Sequence, residues 1–265
     1  MQPDASGPAA RSNSRAEPLL DHPHGGGPAS AADGSRQRDL FRANGDAVLG
    51  VAADLDAAFP DRPVWLSRVD GHAGWANSAA IRAVRRDLSG DWQPDGGRID
   101  RDAAGKPTGL FIDNAMLLVE QARPAMSEAT AEHALEIAMR AAAEQGLTGV
   151  HDAGITLAEL GRYQRLADRG RMPLRISAMA DGDSAALESL CRNGLYRHPS
   201  GRLQMRAVKL YADGALGSRG AAMLEDYSDD HGNRGLMVMS PAQLAAATAK
   251  AKRCGVQVAT HAIGD

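Results

Sequence analysis

The residues with the clearest chemical potential are polar side chains at the ends of three apolar segments. They are His151 in LTGVHDAG, Lys209 and Asp213 in VKLYADG, and His261 in ATHAIGD. Parallel α/β folds place their functional residues at the carboxyl ends of strands. His151 is predicted to contact a substrate or to be a hydrogen-bonded structural residue, and the His261 imidazole suits zinc.

Lys209 is unusual because it occupies a position where a buried strand would carry an apolar residue. Burying an ammonium group costs several kcal/mol unless the group is paired, neutralised or modified. Two interpretations follow from the sequence. Either Lys209 is modified, or it remains an ammonium group in an ion pair with Asp213 or another carboxylate inside the fold.

The glycine-rich run after Lys209 contains two further candidates. Asp213 is predicted to be catalytic through contact with substrate or water, unless Asp213 and Gly214 form a simple turn. Arg219 can recognise a substrate carboxylate through a bidentate pair. The amides of GALGSRG could also hold a phosphate, but the run lacks the spacing of a Walker motif, so this alternative is weaker.

The segment DGHAGWANS (70–78) offers one polar and one aromatic candidate. His72 is predicted to project over the pocket as a catalytic residue, with Trp75 beside it as an apolar contact for the substrate. The alternative for Trp75 is a structural one, in which the indole packs the segment against the rest of the fold.

These candidates lie on a repeating pattern of helices and strands that begins at Ser127. Helices are predicted to end in glycine shortly before apolar strands, as expected for a wound parallel sheet. The predicted strands are 147–154, 172–180, 205–214 and 256–265, and the predicted helices are 127–146, 156–170, 184–194 and 240–255. The pattern predicts an α/β fold.

The chain divides into three predicted parts. Residues 1–50 are rich in Pro, Gly, Ser, Ala, Asp and Arg without apolar periodicity, which predicts disorder. Residues 51–126 are predicted to form an inserted β-rich segment, with a strand at 63–69, a helix capped by Asn77 or Ser78, and a hairpin-like stretch before residue 115. Residues 127–265 carry the helix and strand repeat.

Composition limits the class of partner. The chain has 265 residues with 30 basic and 33 acidic side chains and a net charge of −3, so neither nucleic acid nor an anionic membrane is expected. A small molecule is the expected partner. The two cysteines, Cys191 and Cys254, lie in unrelated contexts, so no disulfide is expected. With no secretory signal or spanning segment, a soluble cytoplasmic protein is predicted, and the oligomeric state stays open.

Five separated motifs, taken together, resemble the amidohydrolase superfamily. The likeness is to amidohydrolase family 3, the branch that includes N-substituted formamide deformylase, and it extends from about Leu55 to the last residue. The motifs are RVDGHAGWANSAA (68–80), GKPTGLFIDNA (105–115), GLTGVHDAG (146–154), VKLYADGALGSRGA (208–221) and ATHAIGD (259–265).

The resemblance implies a partial (β/α)8 TIM barrel of the metal-dependent hydrolase type, represented by its strands two to five. It implies one or two divalent metal ions, expected to be zinc, that activate water against a non-peptide C–N bond of an amide-type substrate. By position, Lys209 and His261 match the ligands of the fourth and fifth strands. Lys209 is then expected to be carbamylated by CO2, which turns a costly cation into a carboxylate-like ligand.

Other ligands of the family are not matched. His22 and His24 form the only HxH pair, and no apolar strand precedes them. A sixth-strand histidine and an eighth-strand aspartate, the general base of the family, have no counterpart. We therefore expect an incomplete, inactive amidohydrolase. The alternatives are a non-catalytic half-barrel that acts as a binding or assembly module, and a different α/β enzyme for a phosphorylated ligand.

Overall fold

The computed structural model describes residues 50–182 and 184–265. The His22 and His24 pair, and the disorder predicted for residues 1–50 apart from Gly50, lie outside the described residues. Within the described ranges the chain forms two sheets of different kinds: a small antiparallel sheet precedes a larger, mainly parallel one.

The antiparallel sheet has four strands in the order β1-β2-β4-β3. Three short helices accompany it. The strands are β1 Trp65–Ser67, β2 Ala73–Ala76, β3 Gly97–Arg101 and β4 Pro107–Asp113, and the helices are α1 Ala52–Ala58, α2 Ser78–Ala83 and α3 Met116–Glu120. The hairpin predicted from the turn-rich stretch is confirmed as β3 and β4, which pair in antiparallel register.

Asn77 connects the parts of this first region. Its side chain has no exposed surface and caps α2, with Oδ1 accepting from the backbone N–H groups of Val64 and Ala80, both at 2.9 Å. Its Nδ2 donates to the carbonyl oxygens of Phe59 and Arg62, both at 2.8 Å. The predicted cap is confirmed, and the same amide also fixes the chain that leads into β1.

Trp75 lies on β2 and is buried, with 3% of its surface exposed. It packs with Leu55, Val64 and Leu66 in a small apolar cluster on the antiparallel sheet. The prediction that Trp75 contacts a substrate is therefore wrong for this structure, and the structural alternative holds. The whole of β2 is buried, so the segment is a central strand and does not form a mobile cover.

The second sheet has four parallel strands in the order β5-β6-β8-β9, with the two-residue β7 antiparallel to β8. The strands are β5 Gly149–Ile155, β6 Arg175–Asp181, β7 Tyr196–Arg197, β8 Leu203–Tyr211 and β9 Gln257–His261. The helices are α4 Glu128–Glu144, α5 Leu157–Asp168, α6 Ala185–Asn193 and α7 Pro241–Arg253, and a 3-10 turn covers Leu216–Ser218.

Strand β8 shows how the parallel sheet separates its two faces. Val208 and Leu210 are fully buried in the core between sheet and helices, together with residues such as Leu187 of α6. Successive side chains on a strand point to opposite faces. Lys209 and Tyr211 therefore point away from the helices, toward the face that would be the inside of a barrel.

The fold class predicted from the sequence is confirmed. The described residues form a mixed α/β structure whose parallel strands and intervening helices are consistent with part of a (β/α)8 barrel, preceded by an inserted antiparallel sheet. None of the helices in the described ranges combines the length and the apolar character that crossing a bilayer requires.

Cys191 and Cys254 form a disulfide, with Cα atoms 4.8 Å apart and a sequence separation of 63. Cys191 lies in α6 and Cys254 caps the end of α7, so the bond joins two helices that cover the same side of the parallel sheet. The expectation of unpaired cysteines is wrong, because the winding of the chain brings two distant helices together.

Breaking this disulfide should lower the free energy of unfolding by about 2–4 kcal/mol, because the cross-link restricts the unfolded chain. Urea unfolding of the chain with and without reductant measures the effect. The double variant Cys191→Ser with Cys254→Ser is the control, and its unfolding midpoint should not respond to reductant. An unfolding curve of the native chain that reductant leaves unchanged would contradict the prediction.

Candidate functional site

The candidate site lies where the carboxyl ends of β8 and β9 meet the loop between β1 and β2. Strands β8 and β9 pair in parallel, with Lys209 opposite Ala259 and Tyr211 opposite His261. Lys209, Tyr211 and His261 are thus on one face of two adjacent strands. The sequence predicted that Lys209 and His261 come from neighbouring strands, and the structure places them there.

Lys209 sits in a partly apolar environment. Its Nζ lies 4.9 Å from the centre of the Tyr211 ring, and its Cγ lies close to Gly154 of β5. Burial lowers the pKa of the Lys209 amine below its ordinary value. No ion pair of Lys209 with a carboxylate is present among residues 50–182 and 184–265, so the ion-pair alternative is not what the structure shows.

His261 has one ring nitrogen engaged and one available. Its Nε2 lies 3.0 Å from the carbonyl oxygen of Gly214. A carbonyl oxygen can only accept a hydrogen bond, so Nε2 carries the hydrogen and Nδ1 of the neutral ring keeps its lone pair. A hydrogen bond from one ring nitrogen to a backbone carbonyl orients a histidine for binding a metal through its other nitrogen.

His72 reaches the same place from the antiparallel sheet. Its ring stacks on that of His261, with centres 4.5 Å apart and planes 24° from parallel. Its Nδ1 lies 2.6 Å from Oδ1 of Asp113. The hydrogen bond to Asp113 raises the pKa of His72, with help from the charges of Asp113 and Asp70, against burial and the nearby Lys209, which lower it.

Asp113 is the residue of this cluster that sequence reasoning missed. It ends β4, and its side chain is 2% exposed. Its segment GLFIDNA was one of the matched motifs, and a carboxylate directly after an apolar strand is the signal that could have singled it out. Tyr211, which follows Lys209 at the next inward position of β8, was missed in the same way.

Asp213 has a structural task in this structure. It is 3% exposed. Its Oδ1 accepts from the amide of Ile263 at 2.9 Å, and its Oδ2 accepts from the amides of Ala222 and Gly264 at 2.9 and 2.7 Å. These bonds tie the loop after β8 to the loop after β9. The predicted catalytic contact is replaced by this clamp, because three backbone donors already occupy the carboxylate.

The clamp should make the stability of the protein sensitive to acid. Burial alone would raise the pKa of Asp213, but the hydrogen bonds from Ile263, Ala222 and Gly264 outweigh it and lower the pKa. A lowered folded pKa gives stability that is present above the ordinary aspartate pKa and is lost as the pH falls through the folded value.

We therefore expect Asp213→Asn to lower the free energy of unfolding at neutral pH by about 1–3 kcal/mol, because an amide nitrogen then faces backbone donors. The loss of stability between mildly acidic and acidic pH should also become shallower. Urea unfolding at a series of pH values measures both effects. Asp61→Asn, at an exposed position, is the control and should follow the native curve. A variant whose acid limb matches the native one would refute this role.

Arg219 is paired within the protein. Its Nε and Nη2 donate to the two carboxylate oxygens of Asp229, at 3.1 and 2.8 Å. The pair borders a cleft of about 240 Å³ that is also lined by Arg98, Asp100 and Asp230. The predicted bidentate geometry exists, but its acceptor belongs to the protein, so binding of a substrate carboxylate by Arg219 would require the exchange of Asp229.

His151 is not brought to the site. It is the third residue of β5, which continues to Ile155, so it lies in the body of the sheet and is exposed there. Gly154, three residues further along β5, is the residue that approaches Lys209. The prediction that His151 lies at a strand end is wrong, because β5 continues beyond it to Ile155.

The donors present fit a divalent metal in kind, although they do not complete a site. His261 offers an imidazole nitrogen, and Lys209 offers an amine that CO2 can convert into an oxygen ligand. Within the described parts of the chain, no group of three or more His, Cys, Asp or Glu side chains converges as a metal site.

Comparisons with known proteins identify the family of this chain. The sequence profile of the amidohydrolase family matches residues 40–265. The chain is 37% identical over 223 residues to YtcJ of Bacillus subtilis, which is named as an amidohydrolase, with 80% of this chain and 40% of that protein covered. It is 29% identical over 221 residues to the N-substituted formamide deformylase of Arthrobacter pascens, with 80% and 40% covered.

A solved structure supports the same assignment. An uncharacterised metal-dependent hydrolase from Pyrococcus horikoshii OT3 superposes with a TM-score of 0.59 and 25% identity, covering 81% of this chain and 42% of that one. The chain spans about 40% of the length of the curated relatives it matches. From the family profile, the relatives and the fold together, we conclude that the chain belongs to the amidohydrolase family.

Proposed function

We propose that this chain carries part of the active site of a metal-dependent hydrolase that cleaves non-peptide C–N bonds of amide-type substrates. The observation that supports the proposal is the placement of Lys209 and His261 on the same face of the adjacent strands β8 and β9, where Lys209 pairs with Ala259 and His261 with Tyr211. Family membership and the likeness to metal-dependent hydrolases support the metal, for which we propose zinc, as one or two ions.

In this proposal Lys209 becomes a ligand by reaction with CO2. The lone pair of the neutral Nζ attacks the carbon of CO2, an N–C bond forms as one C–O π bond breaks, and one proton leaves Nζ for water. The product is a carbamate with a single negative charge. The lowered pKa of Lys209 favours this step, because only the neutral amine is a nucleophile.

The other residues bind and orient. His261 would hold the ion through Nδ1, since its Nε2 donates to the Gly214 carbonyl. When bound, such an ion supplies Lewis-acid chemistry toward a carbonyl group and a water molecule. His72 covers the His261 ring and has no partner for Nε2 among the described residues, so we assign to it the acceptance of a proton from water or substrate.

An N-substituted formamide is the first substrate to test. The Arthrobacter pascens relative is named for deformylation of such compounds. Hydrolysis would release formate and a primary amine, and both can be quantified.

The experiment uses the purified chain with zinc and bicarbonate, and it measures bound zinc, the thermal unfolding midpoint and the release of formate from an N-substituted formamide. Zinc should raise the midpoint, because a ligand that binds only the folded state stabilises it. His261→Ala should abolish the shift, whereas His231→Ala, in an exposed loop, should keep it. Absence of both zinc protection and formate release in the native chain would refute the proposal and favour the binding module.

A further inference from the structure

We propose that Asp113 is a positioning residue that fixes the orientation and the tautomer of the His72 ring. The inference rests on the proposed function, because it gives a purpose to the unpaired Nε2 of His72. Asp113 lies on the antiparallel sheet, whereas the site that it influences lies at the carboxyl ends of β8 and β9 in the parallel sheet.

The contact between the two residues leaves little freedom for the ring. Nδ1 of His72 lies 2.6 Å from Oδ1 of Asp113, whose side chain is 2% exposed. An ionised carboxylate accepts and cannot donate, so the neutral His72 ring carries its hydrogen on Nδ1. The lone pair is then on Nε2. The backbone joins the same residues, because the Asp113 amide donates to the His72 carbonyl at 3.2 Å.

The second carboxylate oxygen of Asp113 shows that the surrounding loop is built around this group. Oδ2 is buried without a hydrogen-bond partner among the described residues. It lies against the backbone of Gly214 and Gly220, where a Cβ atom at either position would overlap with it. Leaving a buried acceptor unmet costs about 1–3 kcal/mol. A site selected only for stability has no reason to retain it.

The backbone at Asp113 is also uncommon. Its φ of 48° is one of two positive values found at non-glycine residues in the described parts of the chain. Aspartate tolerates this region better than most residues. Sparsely populated backbone conformations persist where the surroundings over-determine them, and they concentrate at functional sites.

The result of this arrangement is the stacking of His72 on His261. With Nδ1 held by Asp113, the ring lies nearly parallel to that of His261, with the centres 4.5 Å apart. Without the carboxylate, His72 could rotate or adopt the other tautomer. Asp113 therefore acts through His72, by keeping an acceptor nitrogen beside the residue proposed to hold the metal.

The tautomer can be read directly by NMR. In the native chain labelled with 15N-histidine, at a pH above the pKa of its histidines, two-bond 1H–15N correlations should show His72 in the Nδ1–H form. His72→Gln identifies the signal by its loss. In Asp113→Ala, the ratio of the Nε2–H form to the Nδ1–H form should rise about tenfold or more, because a hydrogen bond to a charged group is lost.

Two controls separate positioning from general damage. Asp70→Asn removes a carboxylate that contacts the His72 backbone amide and not its ring, so the tautomer should be unchanged. In Asp113→Ala, added formate should restore the Nδ1–H form, whereas chloride at equal ionic strength should not. Near-ultraviolet circular dichroism verifies that each variant is folded.

The proposal fails if the native His72 is in the Nε2–H form, or if a folded Asp113→Ala chain keeps the Nδ1–H form. The measurement needs neither metal nor substrate. Absence of both zinc protection and formate release would therefore count against the proposed function and leave the role of Asp113 intact, and a wrong tautomer would do the reverse.

Discussion

Lys209→Met should abolish carbamate formation in the chain and weaken zinc binding by more than about 100-fold. Loss of a residue that only supports a metal ligand weakens metal binding by up to about 100-fold, and loss of a ligand itself should cost more. Methionine retains the length and apolar contacts of the side chain beside Tyr211 and Gly154, but it has no nucleophilic nitrogen. The measurement is 13C NMR of the chain in 13C-bicarbonate with zinc, together with a zinc titration.

Lys252→Met is the matched control, because Lys252 lies on the exposed surface of α7. Its amine lies away from β8 and β9, so this variant should keep the carbamate signal and the zinc affinity of the native chain. A native chain without a carbamate signal, or a Lys209→Met chain that retains one, would rule out the modified lysine.

Asn77→Ala should lower the free energy of unfolding by about 3–4 kcal/mol, which combines the loss of a helix cap with buried backbone groups left unmet. The native side chain makes four hydrogen bonds to the backbone at a position without solvent access. Alanine leaves the Val64 amide and the Phe59 and Arg62 carbonyls without these bonds. Urea unfolding with a two-state fit measures the change.

Two further variants identify the cause. Asn77→Asp keeps the shape and the acceptor but turns an oxygen toward the Phe59 and Arg62 carbonyls, so it should also destabilise the protein. Asn193→Ala removes an exposed amide that donates to Ser189 and should change stability by no more than about 0.5 kcal/mol. An Asn77→Asp chain as stable as the native one would show that the hydrogen bonds from Nδ2 to the Phe59 and Arg62 carbonyls do not contribute to stability.

The helices and parallel strands were predictable because their signals are local. Ser127, Thr156 and Ser240 cap their helices through hydrogen bonds within the first turn, and the apolar periodicity marks which face packs. The sequence therefore predicted the β-α repeat from residue 127 onward, and the structure confirms it. Strand β7 was missed because two residues are too short to give a period.

Only part of the site could be predicted, because some of its residues carry a local signal and others meet through long-range packing. Lys209 and His261 stand out because each is polar in an apolar strand, and adjacent strands bring them together. Asp113 and His72 meet although they are 41 positions apart in sequence, and His72 reaches His261 only because the two sheets lie against each other. The disulfide joins Cys191 and Cys254 by the same kind of long-range packing, which no local pattern encodes.

The Asp213 carboxylate has a consequence for redesign of substrate preference. Asp213 accepts hydrogen bonds from amides in both the loop after β8 and the loop after β9. Residue changes at 213–222 or 262–264 would therefore displace the ends of β8 and β9, which carry Lys209 and His261. Further along the loop after β8, the Met223 amide donates to the Arg234 carbonyl at 2.8 Å. The turn between these two residues contains Leu224, which has 72% of its surface exposed. Substitutions confined to that turn leave in place the Ala222, Ile263 and Gly264 amides that Asp213 binds.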